Sequence, residues 1–120
     1  MESNSEKQTI EHIQKVSKLI KSIEDEIVNR RSTHDLSKLE EPEISAFDKY
    51  TPLLQKTEYG SNEYKSILNA MKPAIEHHYK NNRHHPEHFN NGIDEMNLVD
   101  LIELLCDWKA ASERNKKRKS

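Results

Sequence analysis

The sequence predicts an all-α fold, and three observations support this prediction. Apolar residues recur at three- and four-residue spacing, which places them on one face of a helix. No segment alternates polar and apolar residues with the period of two that a half-buried strand shows. The 2 glycines and 4 prolines among 120 residues are too few for a long flexible tract. We therefore expect a compact single-domain bundle of about five helices over residues 1–114, followed by a basic disordered tail at 115–120.

The first predicted helix covers residues 6–30 and has the clearest periodicity. Its apolar positions are Ile10, Ile13, Val16, Ile20, Ile23 and Ile27. After it, Ser32, Thr33 and Asp35 favour hydrogen bonds between their own side chains and the nearby backbone. The pattern therefore predicts that the long helix ends before a short separate segment at 33–39.

Two further helices are predicted in the middle of the chain. Pro42 suits the first turn of a helix that carries apolar residues at 44, 47 and 50, and at 53 and 54. The turn at 59–62 places Ser61 as the N-cap of the next helix, which runs towards Tyr79 and which Pro73 is expected to kink. Steps of 100° along its buried stripe point His78 inward and leave His77 on the flank.

The last predicted helix is capped by Asp94 or Asn97 and runs to about Arg114. It follows a polar, histidine-rich loop at 81–92. Apolar residues cover most of its circumference, and among them Cys106 and Trp108 are interpreted as core packing. The remaining narrow stripe is acidic and consists of Asp100, Glu103 and Asp107. The spacing leaves open whether this stripe faces solvent or an interior polar site.

Composition restricts the class of protein. A formal net charge of −2 provides no general attraction for a nucleic-acid polymer. No apolar run approaches the roughly 20 residues that cross a bilayer, and the first ten residues do not resemble a signal peptide. The single cysteine excludes an internal disulfide. We expect a cytoplasmic protein, in a bacterial cell or a phage-infected host, while its oligomeric state is left open.

The seven histidines suggest a metal site. Imidazole is the commonest protein metal ligand, carboxylates accompany it, and helices can bring such ligands together from distant parts of a chain. His12 lies near the apolar face of the first helix, where a boundary histidine bonded to a neighbour is the alternative. The doublet of His34 and Asp35 is weak evidence by itself, because Asp35 could simply cap a helix.

The order of these residues resembles the HD superfamily. The matching elements are His12, the doublet in "HDLSK", the pair His77 and His78, and Asp107 in "LLCDWKA". In that family an early histidine, the doublet and a late aspartate bind a divalent metal, and additional histidines often hold a second ion. The resemblance implies an HD-like fold and one or two ions of Mn, Fe, Co or Zn. The implied ligands are His12, His34, Asp35, His78 and Asp107, with His77 as the alternate if Pro73 rotates the helix.

The resemblance also implies a metal-dependent phosphohydrolase whose catalytic residues are Asp35 and Lys38. "HDLSK" is similar to the "HDxGK" segment of HD-GYP phosphodiesterases, with Ser37 in place of glycine, and Lys38 would contact a phosphate. The "HHExxDGxGYP" continuation is absent, so cleavage of cyclic di-GMP is not supported. The implied substrate is a nucleotide or another small phosphoester. The candidate substrate-binding residues at the rim are Lys38, Arg83, His84, His85 and His88, although a solvated polar loop explains the last four equally well.

Other interpretations remain open. The segments "AIEHHYKNNRHHPEHF" and "LIELLCDWKAA" are similar to a small group of uncharacterised bacterial and phage proteins. Some HD relatives hold two irons and oxidise C–H bonds, and the chain could also be a non-enzymatic helical adaptor or inhibitor. A zincin is disfavoured because Pro86 separates His84 from His88, and an HNH nuclease would need strands that the pattern does not predict.

Overall fold

The computed structural model describes residues 3–119, with side chains described as far as residue 115. Within residues 3–119 there are four α-helices and no strand, so the all-α prediction is confirmed. The α-helices are α1 (Asn4–Thr33), α2 (Glu43–Gln55), α3 (Asn62–Asn81) and α4 (Leu98–Lys119). Three short 3₁₀ helices cover Leu36–Leu39, Pro86–His88 and Gly92–Glu95.

The chain divides into two units, residues 1–33 and residues 34–120, where the sequence predicts one domain over 1–114. The first unit is α1, in which no described residue is buried. Near its end, the hydroxyls of Ser32 and Thr33 donate to backbone carbonyls four residues earlier. The helix includes Thr33. Two residues later, Asp35 adopts a left-handed conformation with φ 53°.

In the second unit, α2 and α3 pack against each other and against the first 3₁₀ helix. Pro42 directly precedes α2, and the Ser61 hydroxyl accepts a hydrogen bond from the Tyr64 backbone N–H at 3.1 Å, so both predicted helix starts are confirmed. Pro73 lies inside α3, which continues through it. The buried residues of α3 are Met71, Ala74 and His78, which confirms that His78 points inward.

The start of α4 is fixed by a reciprocal cap. The Asn97 side chain accepts from the Asp100 N–H at 2.8 Å, and the Asp100 carboxylate accepts from the Asn97 N–H at 3.0 Å. The helix continues to Lys119, beyond the predicted end at Arg114, because Lys, Arg and Ala are strong helix formers and neither glycine nor proline interrupts them. Residues 115–119 of the expected tail are thus helical backbone, and Ser120 lies outside the described residues.

The acidic stripe of α4 faces inward, and part of its apolar surface faces outward. Asp100 is fully buried and the Glu103 side chain is 9% exposed. Cys106 is exposed and Trp108 is 58% exposed, so the prediction that they pack in the core is wrong. The physical reason is that Asp100 and Glu103 turn inward to pair with Arg83 and His34, and buried polar groups need such partners. The Trp108 side chain then points outward.

The core contains as many buried polar residues as buried apolar ones among those described. The apolar set is Met71, Ala74, Met96, Val99 and Leu104, and the polar set is Glu43, His78, Asn82, His84 and Asp100. Burying a polar group is unfavourable unless it has a hydrogen-bond partner or binds an ion. The fold therefore positions a polar centre.

No helix within residues 3–119 combines the length and the apolar character needed to cross a bilayer.

Candidate metal centre

Asp35 lies at the junction between α1 and the first 3₁₀ helix. Its backbone is left-handed, with φ 53° and ψ 15°. This conformation is uncommon for residues other than glycine, and aspartate tolerates it better than most because its short side chain can bond locally. Backbones of this kind occur often at functional sites. The turn places the Asp35 carboxylate between two groups of candidate metal ligands that share it.

The first group joins Asp35 to three imidazoles, those of His78, His84 and His85, whose ligand atoms all lie within 4.8 Å of one another. Asp35 Oδ1 lies 3.4 Å from His78 Nε2 and 3.4 Å from His84 Nε2, and the Nε2 atoms of His78 and His85 are 3.0 Å apart. A divalent ion with metal–ligand bonds of about 2.1 Å separates its neighbouring ligands by roughly 2.9–3.4 Å, depending on geometry. The spacing therefore fits one coordination shell.

Two buried polar atoms of this group that lack hydrogen-bond partners independently support that fit. Asp35 Oδ1 and His84 Nε2 are buried, and neither has a hydrogen-bond partner. Their 3.4 Å separation is an electrostatic contact without hydrogen-bond alignment. Buried polar atoms without partners are costly, and an unmodelled ion is one of the recognised explanations. A cation between these atoms would satisfy both of them.

The second group joins Asp35 to His34, His84 and Asp107, and two of these side chains lie closer to solvent. His34 Nε2 is 3.5 Å from Asp35 Oδ2 and 3.5 Å from Asp107 Oδ1. His84 belongs to both groups, but its Nε2 can bind only one ion at a time. The side chains of His34 and Asp107 are 32% and 30% exposed, whereas those of His78 and His84 are 8% and 0% exposed. The first group is thus the less exposed of the two and is called the buried group below, and the second is called the open group.

The charges around Asp35 favour its ionised form. Burial alone would raise the pKa of this carboxyl, but contacts with His84, Lys38 and His34 lower that pKa well below its usual range. Lys38 Nζ lies 3.4 Å from Asp35 Oδ2, and its side chain is 51% exposed. An ionised carboxylate is the form that binds a cation.

The imidazoles of the buried group differ in their proton affinity. Burial, helped by the neighbouring His84 and His78, lowers the pKa of His85 to about 4. Burial also opposes the charged form of His84, but Asp35 and Glu103 outweigh it and raise the pKa of His84. His85 is therefore neutral at physiological pH, the state in which an imidazole binds metal.

Two glutamates contact the far side of the candidate ligands. Glu103 Oε2 lies 2.7 Å from His34 Nδ1 and 3.0 Å from His84 Nδ1. The oxygens of Glu43 lie 2.7 Å from the Nδ1 atoms of His77 and His78. Burial would raise the pKa of Glu43, but bonds from Ser37 and the two imidazoles lower it.

Hydrogen bonds fix the histidine-rich loop on both sides of His84 and His85. The Asn82 amide donates to Ser37 Oγ at 2.9 Å and to the His78 carbonyl at 2.8 Å. The guanidinium of Arg83 forms a two-point pair with Asp100, and His88 Nδ1 lies 2.8 Å from the Tyr79 carbonyl oxygen. Residues 84 and 85 are therefore held against the ends of α3 and α4.

The structure brings together most of the residues predicted as ligands. His34, Asp35, His78 and Asp107 lie in the two groups, while His77 contacts Glu43 instead of either group. His12 lies on α1, in the first unit, with an exposed side chain, and its role as a ligand stays a prediction.

His84 and His85 lie among the candidate ligands rather than at the rim where the sequence analysis places them. Arg83 and His88, which the same analysis assigns to substrate, are bonded to the protein itself. The sequence pattern does not identify Glu43, and it predicts Glu103 only as part of the acidic stripe of α4. Nothing in the sequence near Glu43 indicates its role, because the histidines that it contacts lie 34 and 35 residues further along.

Comparison with known proteins gives a family but no activity. The family described as "Family of unknown function (DUF5662)" matches residues 1–120. No curated protein and no solved structure matches the chain.

Proposed function

Because the chain belongs to the DUF5662 family, whose function is unknown, we propose its activity from the site itself: a metal-dependent phosphohydrolase of the HD type. The proposed substrate is a nucleotide or another small phosphoester. The proposed cofactor is a pair of divalent ions drawn from Mn, Fe, Co and Zn, which suit mixed imidazole and carboxylate ligands. We place the reaction in the cytoplasm.

The single observation that carries this proposal is that the two oxygens of the Asp35 carboxylate face different neighbours. Oδ1 faces His78 and His84, whereas Oδ2 faces His34 and Lys38. A carboxylate whose two oxygens face separate ligand groups is suited to bridge two cations. Paired ions about 3.5–4 Å apart clamp the attacking and leaving oxygens in many phosphoester-cleaving enzymes.

The two ions would have different surroundings. The buried group offers four protein ligands, enough to complete a tetrahedral shell, whereas the open group offers His34, Asp35 and Asp107 when His84 serves the buried ion. A site with three protein ligands keeps a position for water or substrate. When bound, such an ion supplies Lewis acidity and brings the pKa of water towards neutrality.

The residues of this chain have separate tasks in the proposed reaction. Asp35 would hold both ions, and His34 and Asp107 would hold the second ion where substrate can reach it. The Lys38 ammonium group is half-exposed beside Asp35 Oδ2, where it would contact a phosphoryl oxygen and stabilise the negative charge that develops on it.

Phosphate release tests the proposal. Metal-stripped protein would be reloaded with Mn, Fe, Co or Zn and assayed on p-nitrophenyl phosphate, bis(p-nitrophenyl) phosphate and nucleoside mono-, di- and triphosphates. We expect metal-dependent turnover that Asp35→Ala abolishes and that Asp48→Ala, at an exposed position on α2 outside both ligand groups, retains. Absence of turnover with every metal and substrate, by protein shown to contain metal, would contradict the proposal.

A two-iron oxygenase is the second candidate. The observation that favours it is a ligand set made of imidazoles and carboxylates, with no thiolate in either group. Iron-loaded protein would then show a two-iron optical band and consume oxygen without releasing phosphate.

A further inference from the structure

Glu43 is a fully buried carboxylate that faces no candidate metal position. It lies in the first turn of α2, and each of its oxygens contacts a different imidazole. Oε2 is 2.7 Å from His77 Nδ1, and Oε1 is 2.7 Å from His78 Nδ1. Among these three residues, His78 alone belongs to a ligand group. The contact therefore lies behind a ligand, on the side away from the proposed ion.

We infer that Glu43 is a positioning residue that fixes the tautomer of His78 and aims its Nε2 lone pair at the buried ion. This inference rests on the proposed metal centre. A carboxylate is only an acceptor, so Nδ1 of His78 must carry the proton at a 2.7 Å contact. In a neutral imidazole the lone pair then lies on Nε2.

The other contacts of His78 agree with this assignment. Its Nε2 lies 3.4 Å from Asp35 Oδ1 and 3.0 Å from His85 Nε2, both of which are candidate ligand atoms. The Asn82 amide nitrogen lies 3.4 Å from Nδ1, but it is a donor and cannot replace the carboxylate as acceptor. Carboxylates that hold a ligating histidine in this way orient the ring and increase its basicity.

Glu103 provides an internal comparison. Its Oε2 contacts His34 in the open group and His84 in the buried group, so its loss should weaken both ions. Glu43 contacts only His78 among the ligands, so its loss should weaken the buried ion alone. Removal of such a partner typically costs 10–100-fold in metal affinity.

The variant test uses Glu43→Met, which removes both acceptor oxygens while keeping a side chain of similar length. Zn²⁺ and Mn²⁺ titrations of metal-stripped protein would compare it with Glu103→Met and with Glu41→Met, an exposed glutamate two residues away. We expect Glu43→Met to bind one ion about 10–100-fold more weakly and the other unchanged. We expect Glu103→Met to weaken both ions and Glu41→Met to match the wild type.

A second measurement needs no variant at position 43. Two-bond ¹H–¹⁵N correlation of metal-stripped wild-type protein at pH 8, with signals assigned by His77→Gln and His78→Gln, reports which nitrogen of each neutral ring carries the proton. We expect the Nδ1–H form at His78. An Nε2–H form would overturn the inference, even if Glu43→Met fails to fold.

The outcomes separate the two proposals. Wild-type protein that binds no ion would overturn the proposed function, while the tautomer measurement would still judge Glu43. Wild-type protein that binds two ions, with folded Glu43→Met matching it, would overturn only the role of Glu43.

Discussion

Arg83 and Asp100 form a two-point ion pair in which both nitrogen–oxygen distances are 3.2 Å. Asp100 is fully buried and also accepts the backbone N–H of Asn97, so one carboxylate caps α4 and holds the residue directly before His84. The pair therefore links the histidine-rich loop to the helix that carries Glu103 and Asp107.

We expect Arg83→Ala to destabilise the protein by about 1–3 kcal/mol, because it removes two charged hydrogen bonds from a buried carboxylate. Urea unfolding monitored by circular dichroism measures this change, with Lys80→Ala, an exposed cation at the end of α3, as the control. A variant as stable as wild type that has only a raised KM would instead indicate that Arg83 contacts substrate.

Removal of metal should lower the melting temperature. A ligand that binds only the folded state stabilises it by about 2.7 kcal/mol at one hundred times its Kd, and His84 and Asp35 have buried, unpartnered atoms that an ion would satisfy. Differential scanning fluorimetry before and after chelation, with metal loss verified by mass spectrometry, checks this expectation. An unchanged melt after verified loss would show that metal and folding are not coupled.

The two proposed ions should differ in affinity and exchange. The His78 side chain in the first group is buried, whereas the His34 and Asp107 side chains in the second are each about one third exposed. We therefore expect His34→Ala to lose only the weaker, faster-exchanging ion. His85→Ala, a matched imidazole deletion in the buried group, should lose the tighter one. Stepwise Mn²⁺ titration followed by electron paramagnetic resonance distinguishes the two. Equal losses in both variants would contradict separate sites.

Lys38 should affect turnover more than metal binding. Its ammonium group contacts Asp35 but belongs to neither ligand group. We expect Lys38→Met to retain bound metal and to lose about 10²-fold in kcat, the effect of removing one donor to a developing charge. Steady-state kinetics on the best phosphoester would measure it, with Lys49→Met as an exposed control. Loss of metal together with activity would assign Lys38 a structural role.

Local patterns in the sequence predict the helices well. The apolar periodicity identifies α1, Ser61 identifies the start of α3, and Asn97, one of two predicted caps, lies at the start of α4. The inward direction of His78 also follows from helical spacing, since residues one turn apart share a face. These features depend on neighbours within a few residues, which a single sequence displays.

The outer contacts of the site depend on distant residues and were not predictable in the same way. Glu43 and His78 are 35 residues apart, and Glu103 and His34 are 69 apart. The polar loop gave no periodicity from which burial of His84 could be derived. Trp108 is the opposite case. The widely apolar helix around it predicts a buried indole, but the indole is exposed.

Metal content of the purified protein tests the central claim most directly. Inductively coupled plasma mass spectrometry would be applied to untagged wild type, to Asp35→Ala, and to Asp48→Ala, an exposed aspartate on α2, each offered Mn, Fe, Co and Zn. We predict about two ions per chain in wild type and in Asp48→Ala, and a loss of nearly all metal in Asp35→Ala, because both candidate ligand groups include its carboxylate. Wild-type protein that retains no metal, or Asp35→Ala that retains as much as wild type, would contradict a metal centre built on Asp35.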